Sequence, residues 1–233
     1  MSKRILIAGD IHFPSHSRHA IAEFRARAKA YKPDIFVQIG DMFDIESASR
    51  HDRDPSKPAR VIDELKQSWP ALDHLLSALP RTCERYITLG NHDVRATRQV
   101  WRNAPALDGL FNLNDALGLT ARGFHVTPYG QSLKLGKCYF THDMGSAGAT
   151  AGRQAMQRMQ ANVVIGHTHR LSIEYETNGK GRSHFGCVAG WLGDASKINY
   201  RHRELVKREW MLGWVEGTVS NDGSVRLSPV PLF

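Results

Sequence analysis

Five times along the chain, a segment that reads as the end of a strand runs into a side chain able to hold a metal. The segments are Asp10-Ile11-His12, Gly40-Asp41-Met42-Phe43-Asp44, Gly90-Asn91-His92-Asp93, Thr141-His142-Asp143 and Gly166-His167-Thr168-His169. Short apolar runs at 3–8, 34–40 and 85–90 lead into the first three and have the length and bulk of buried strands. Loops at the carboxyl ends of neighbouring strands converge, so ligands as far apart as positions 10 and 169 can meet at one cleft. A glycine before the functional residue lets the backbone turn sharply there. One such segment alone carries little weight, because Asp-x-His recurs by chance and a lone His or Asp is usually a surface or capping residue.

The elements between these blocks set the fold class. From His19 to Tyr31, Ile21, Phe24, Ala28 and Tyr31 fall on one helical face, giving an amphipathic crossover helix between the first two strands. Ser56 and Pro58 resemble an N-cap and early-turn pair, opening a second helix with Ile62, Leu65, Trp69, Leu72, Leu76 and Leu79 at helical spacing. Helices are expected from Asn91 to about Leu117 and near 148–159, with strands alternating over 124–142 and around 163–166. Gly179-Lys180-Gly181 marks a hairpin turn between 171–177 and 184–188. A β-α-β opening followed by a β-rich second half suggests two sheets packed face to face with helices outside.

The ordered series D-x-H, G-D-x-x-D, G-N-H-D, H and G-H-x-H over residues 5 to about 170 resembles the calcineurin-like metallophosphoesterase superfamily. That resemblance implies an α/β fold: a four-layer α-β-β-α sandwich of two packed mixed sheets, with a dinuclear metal site at the strand carboxyl ends. It implies that Asp10, His12 and His169 hold one metal, that Asn91, His142 and His167 hold the other, and that Asp41 bridges them. Carboxylate, amide oxygen and imidazole suit Mn, Fe or Zn better than Ca or Mg. The expected cofactor is therefore a pair of divalent ions, manganese first, with Fe, Zn or Ni as alternatives, sharing a hydroxide that attacks phosphorus. His142 lacks the glycine that many relatives carry beside it, with Gly145 three residues on. Asp44 reads as a turn or hydrogen-bonding residue outside the ligand set.

His92 follows a ligand without being one, so it is expected to protonate the leaving-group oxygen, with Asp93 orienting the imidazole and keeping it protonated. The competing reading of Asp93 is a helix cap. Asp in the fourth place of Gly90-Asn91-His92-Asp93 resembles the phosphodiesterase and nuclease branch, whereas protein phosphatases carry Glu there. Arg95 and Arg98 follow closely as candidate phosphate-binding groups, set against a reading as solvated arginines. Further basic residues gather at Arg50, Arg53, Lys57 and Arg60, and at Arg201, His202, Arg203, Lys207 and Arg208. The second group precedes Trp210 and Trp214, read preferentially as a helix packing its tryptophans into the core. Trp191, in the 186–194 segment, falls near the fifth block without an assignable role.

The expected activity is hydrolysis of phosphodiesters in nucleic acid or a nucleotide-like ester. A phosphomonoesterase is the alternative, and a non-catalytic metal-binding scaffold or a basic nucleic-acid-binding module are readings from other classes. The net charge of +8 in 233 residues favours anionic partners, nucleic acid among them. The length is read as one domain over 1–233. The three cysteines, Cys83, Cys138 and Cys187, are widely spaced and suggest neither disulfides nor a thiolate site. No apolar run approaches a membrane span, and the opening residues do not read as a signal peptide. A cytoplasmic location is expected, bacterial or in the host if the gene is carried by a phage.

Overall fold

A computed structural model describes residues 2–51, 57, 60–110, 113–198 and 209–233. Its organising feature is the double-sided burial of short strands. In β1 (Lys3–Ala8), Ile5 and Ile7 face one apolar layer while Leu6 and Ala8 face another. β2 (Ile35–Gln38) repeats this, with Ile35 and Val37 on one side and Phe36 on the other. A strand wanted by two layers must be apolar at every position, which is why these runs lack polar alternation.

β1, β2, β3 (Glu84–Thr88) and β4 (Phe124–Thr127) pair in parallel. On the other side of β1, β10 (Gly213–Val219) and β11 (Val225–Pro231) add an antiparallel hairpin, giving a six-stranded sheet ordered β11-β10-β1-β2-β3-β4. The second sheet, ordered β5-β6-β7-β9-β8, holds β5 (Leu133–Leu135), β6 (Cys138–Phe140), β7 (Asn162–Ile165), β8 (Leu171–Thr177) and β9 (Ser183–Ala189). β6, β7 and β9 are parallel, and the outer strands are antiparallel.

Three apolar layers bind four structural ones. Ile7, Val37 and Val215 from the first sheet meet Phe140, Val164 and Cys187 from the second. α1 (Arg18–Tyr31) and α2 (Val61–Leu76) cover the outer face of the first sheet, and α5 (Ala151–Met159) covers that of the second through Ala155 and Met156. This is the α-β-β-α sandwich expected from the sequence. α1 opens on Ser17, whose side chain accepts the Ala20 N–H at 3.2 Å, and buries Ala20, Ile21, Phe24 and Ala28. α2 runs through Pro70 without ending, and Ile62 is exposed rather than core-facing. It begins at Val61 with Arg60 in the N-cap position, later than the opening expected from Ser56 and Pro58; those two residues and Arg53 lie outside the described residues.

The remaining helices, α3 (Arg95–Asn103) and α4 (Leu113–Leu117), follow the third ligand block. The carboxyl-terminal region departs from expectation. Trp214 packs into the core, edge-on to Phe24 at 5.6 Å, but from a strand and not a helix. Trp214 and Glu216 face α1 while Val215 faces the second sheet, the two-residue alternation of a β-strand. The basic group at 201–208 lies outside the described residues. All three cysteines are buried and unpaired by disulfides.

Candidate metal centre

The five blocks converge because the parallel strands of both sheets point their carboxyl ends at one rim. Pairing continues beyond the strands: Asp10 N–H donates to the Gly40 carbonyl at 3.1 Å, His12 N–H to Asp41 at 3.0 Å and Phe13 N–H to Met42 at 2.8 Å. Asp10, His12, Asp41, His167 and His169 adopt φ between 49° and 66°. They are five of the eight non-glycine residues with positive φ among the described residues. Such backbone costs on the order of 1–3 kcal/mol per residue and persists where the surroundings dictate it, most often at functional sites. The glycines matter through close approach as well as turning. A Cβ on Gly90 would strike the Asp41 carboxylate, and one on Gly166 the Asp10 carboxylate.

One half of the site joins Asp10, His12 and His169, all buried. The Nε2 atoms of His12 and His169 face each other at 3.1 Å, and His169 Nε2 lies 3.4 Å from Asp10 Oδ1. Asp10 also accepts the His167 backbone N–H through both oxygens, at 3.1 and 3.0 Å. The His169 ring stacks on Trp191, with centroids 5.0 Å apart and planes 9° apart, and meets Trp210 edge-on at 4.4 Å.

The other half joins Asp41, His142 and His167, with Asn91 among them. Asn91 Oδ1 is 3.0 Å from His142 Nε2 and 2.9 Å from His167 Nδ1, while Asp41 Oδ2 is 3.3 Å from His142 Nε2. His142 Nδ1 donates to the Ile39 carbonyl at 2.7 Å, which leaves Nε2 as the atom presented to the site. Asp41 lies between the halves: its Oδ2 is also 4.0 Å from His12 Nε2, and its Oδ1 accepts the His92 backbone N–H at 2.8 Å.

This donor set fits divalent cations. Two imidazole Nε2 atoms 3.1 Å apart need either a shared proton or a cation between them. Burial opposes charge on His142, yet the Asp41 and Asp10 carboxylates outweigh it and lift its pKa to about 10. Burial likewise opposes charge on His12, which Asp44, Asp41 and Asp10 nonetheless hold above the usual histidine range. The carboxylates draw positive charge inward wherever it can be found. With oxygen and nitrogen donors and no thiolate, the groups define a divalent metal site.

The surroundings of His92 differ from the expected ones. Asp93 does not touch its imidazole; Asp93 accepts the backbone N–H groups of Phe43 at 2.9 Å and Gly90 at 2.8 Å, clamping two ligand-bearing loops together. Burial, with Asp41 nearby, pushes Asp93 up to about 7. The partner of His92 is Asp44, with Nδ1 2.9 Å from Oδ1, and Arg95 Nη2 lies 3.0 Å from Nε2. A carboxylate only accepts and a guanidinium only donates, so Nδ1 carries the proton and Nε2 accepts. Burial pushes His92 down to about 4, so it is neutral here and not held protonated. Asp44 is the junction sequence reasoning underrated: Ser15 and Arg95 bond it, His12 and Lys57 lie within 4 Å, and burial of its charge is outweighed by His12 and His92.

Beside Asn91 opens a cleft of about 120 Å³, lined by Arg50, His51, Arg95, Arg98 and Arg102. Arg95 Nη1 donates to the Asp44 carbonyl at 2.7 Å, and Arg98 lies over the Tyr129 ring at 4.9 Å. Tyr129 in turn donates to Asp143 at 2.8 Å, and Asp143 accepts the Gly145 N–H at 3.0 Å, which shapes the loop after His142. Trp191 was detectable in the sequence, because Ala189-Gly190-Trp191 repeats the strand-then-glycine form of the ligand blocks at the end of β9.

Residues 3–171, which include all seven candidate ligands, match the profile of the calcineurin-like phosphoesterases. The Gene 54 protein of Mycobacterium phage D29 is 30% identical over 195 residues, covering 78% of this chain and 74% of that protein. The Gene 54 protein of Mycobacterium phage L5 is 28% identical over 193 residues, with the same coverage of 78% and 74%. Among solved structures, Vacuolar Protein Sorting 29 from Cryptosporidium parvum aligns over 99% of this chain and 98% of its own, at 14% identity and a TM-score of 0.49. YfcE, a phosphoesterase from E. coli, aligns over 97% and 98% at 15% identity and a TM-score of 0.41. No helix among the described residues is long and apolar enough to cross a membrane.

Proposed function

The chain belongs to the calcineurin-like phosphoesterase family, and from that premise we propose that it is a metal-dependent phosphodiesterase acting on nucleic acid or a nucleotide-like ester. The observation that carries this reading is the meeting of the two ligand groups at Asp41, beside a cleft lined with arginine. Asp10, His12 and His169 would hold one divalent ion, Asn91, His142 and His167 the other, and Asp41 both, with manganese as the favoured metal. Bound there, the ions supply Lewis acidity to the phosphoryl oxygens and lower the pKa of an attacking water.

The chain's own residues do the rest. Asp93 fixes the loops bearing Asp41 and Asn91 relative to each other through the Phe43 and Gly90 amides. Asp44 anchors His92 by its Nδ1–H, so Nε2 is the atom turned toward Arg95 and the substrate side. An arriving phosphate competes for the Arg95 guanidinium, which suits bidentate phosphate binding. His92 Nε2, released from Arg95, would take up a proton from solvent and pass it to the leaving oxygen, which returns the imidazole to its neutral form. Arg95 and Arg98 bind and orient the substrate, and the +8 net charge draws polyanions in.

The test is a panel of single-stranded DNA, duplex DNA, RNA, cyclic dinucleotides and chromogenic mono- and diesters, each with Mn and with chelator. Mn-dependent cleavage of a diester, abolished by chelator, is expected. Turnover of monoesters alone would overturn the diesterase assignment.

A further inference from the structure

The arginines of α3 raise a physical question that the metal centre leaves unanswered. Arg95, Arg98 and Arg102 occupy positions i, i+3 and i+7 of a nine-residue helix, hence one face. Like charges three and four residues apart repel and weaken a helix by a few tenths of a kcal/mol per pair. α3 has no acidic residue to offset this and buries none of its side chains. Arg98 and Arg102 make no ion pair with any described residue; Arg98 lies over Tyr129. The repulsive stripe is nonetheless held in place from beneath, by Gln99 donating to the Ala48 carbonyl at 3.1 Å and Arg95 donating to Asp44.

The stripe forms one wall of a concavity. Arg50 and His51, from the loop after the second ligand block, line it as well, together with Asn91 of the metal centre. No carboxylate among the described residues lines it. Cations brought to one cleft from separate segments of the chain answer to an anion extended along it. From Arg95 to Arg102 the helix rises about 10 Å at 1.5 Å per residue.

We propose that this cleft is a strand-tracking subsite, in which Arg98, Arg102 and Arg50 hold the phosphates flanking the scissile one on a single-stranded oligonucleotide. The proposal rests on the diesterase reading for which phosphate is cut, and makes its own claim about which groups bind the rest of the strand. Affinity and turnover then rise with strand length until the phosphates facing Arg98, Arg102 and Arg50 are engaged. Sequence preference is low, because guanidinium–phosphate contacts carry no base information.

Binding is measured with the full chain in EDTA, by fluorescence anisotropy of a labelled oligothymidylate across a salt series. Removing one guanidinium from the phosphate backbone lowers the slope of log K against log salt by about 0.7 for a single strand. Arg98→Gln with Arg102→Gln is expected to weaken binding at least tenfold and to lower that slope by about 1.4. Arg50→Gln with Arg102→Gln, which leaves Arg98 over Tyr129, should do the same. Wild-type affinity and slope in both variants would overturn the subsite, whether or not the metal-loaded enzyme cleaves diesters. Conversely, a lowered slope in a protein that cleaves no diester upholds the subsite and removes the reaction assigned above. A nucleoside triphosphate that displaced the oligonucleotide at equal phosphate concentration would overturn the strand assignment in favour of a polyphosphate ligand.

Discussion

The two halves of the metal centre share a carboxylate and differ in nearly everything around it. Asp10, His12 and His169 are sealed from solvent, and His169 stacks on Trp191 and meets Trp210 edge-on. Asp41, His142 and His167 form the open half, where His167 is exposed and Asn91 borders the arginine cleft. A buried, packed ligand set pre-organises its ion and excludes competitors, whereas an exposed one leaves room for substrate to approach. On the function proposed above, retention of metal falls to the deep half and contact with the ester to the open half.

The largest blow to that contrast comes from the residue common to both halves. Asp41→Ala removes the carboxylate near His12, His92 and His142 alike, so turnover should fall by several orders of magnitude. Metal content, measured by plasma mass spectrometry after gel filtration, should drop below two ions per chain. Two retained ions with near-native turnover would sink the dinuclear assignment.

Next in size is His92, proposed to serve the open half's chemistry without being a ligand. His92→Asn should slow alkyl and nucleoside esters about 10²–10⁴-fold, the usual contribution of a proton donor, while nitrophenyl esters with good leaving groups slow far less. Metal stoichiometry should stay at the wild-type value. Loss of metal would move His92 into the ligand set, and equal slowing of both esters would make it a positioning group for the phosphoryl oxygens.

A smaller effect probes the deep half alone. Trp191→Leu removes the ring stacked on His169, and outer partners of metal-bound histidines typically govern about 10–100-fold in affinity. One of two binding steps in a chelator-competition titration should weaken by about that factor, and Trp191→Phe should restore most of it. Equal weakening of both steps would dissolve the distinction between the halves.

The smallest expected change should leave both halves untouched. Arg27 and Glu216 pair through two hydrogen bonds of 2.7 Å across α1 and β10, with Arg27 half exposed, so Arg27→Gln should cost roughly 0.5–1 kcal/mol. Burial opposes ionisation of Glu216, but Arg27 and the Trp214 indole outweigh it and depress its pKa. A depressed carboxylate stabilises the fold above its unfolded pKa of about 4.3, and that stability is lost as pH falls through the folded value. Denaturant midpoints of wild type and variant should therefore differ at pH 7 and converge below about pH 4.

What could be read in the sequence follows from range. β1 and β2 were legible because double-sided burial writes itself into consecutive residues. The ligand blocks were legible because each keeps its donors within a few positions after a strand. The link from His92 to Asp44 was not, since it spans two loops and nothing in the spacing tells which nearby acid turns inward. Asp93, adjacent in sequence, turned instead to backbone amides. Trp210 and Trp214 misled because a separation of four mimics a helical face, while the alternation of Trp214, Val215 and Glu216 becomes visible only against β1.

The β10–β11 hairpin alters the order in which this protein can become whole. Every candidate ligand is present by His169, yet β1, whose end carries Asp10, gains its second neighbour only when Lys3 pairs with Val219 and Ile7 with Val215. Trp191, behind His169, is tied to the same late segment by the Gly213 N–H and by a bridge to Leu212. Until residues 213–219 emerge from the ribosome, a nascent chain would hold all its metal donors on a sheet with an open hydrogen-bonding edge at its centre, which is an invitation to foreign strands. Closing such distant pairs is slow relative to local folding. Completion of the metal centre in this way waits on residues 213–219, not on the appearance of its last ligand.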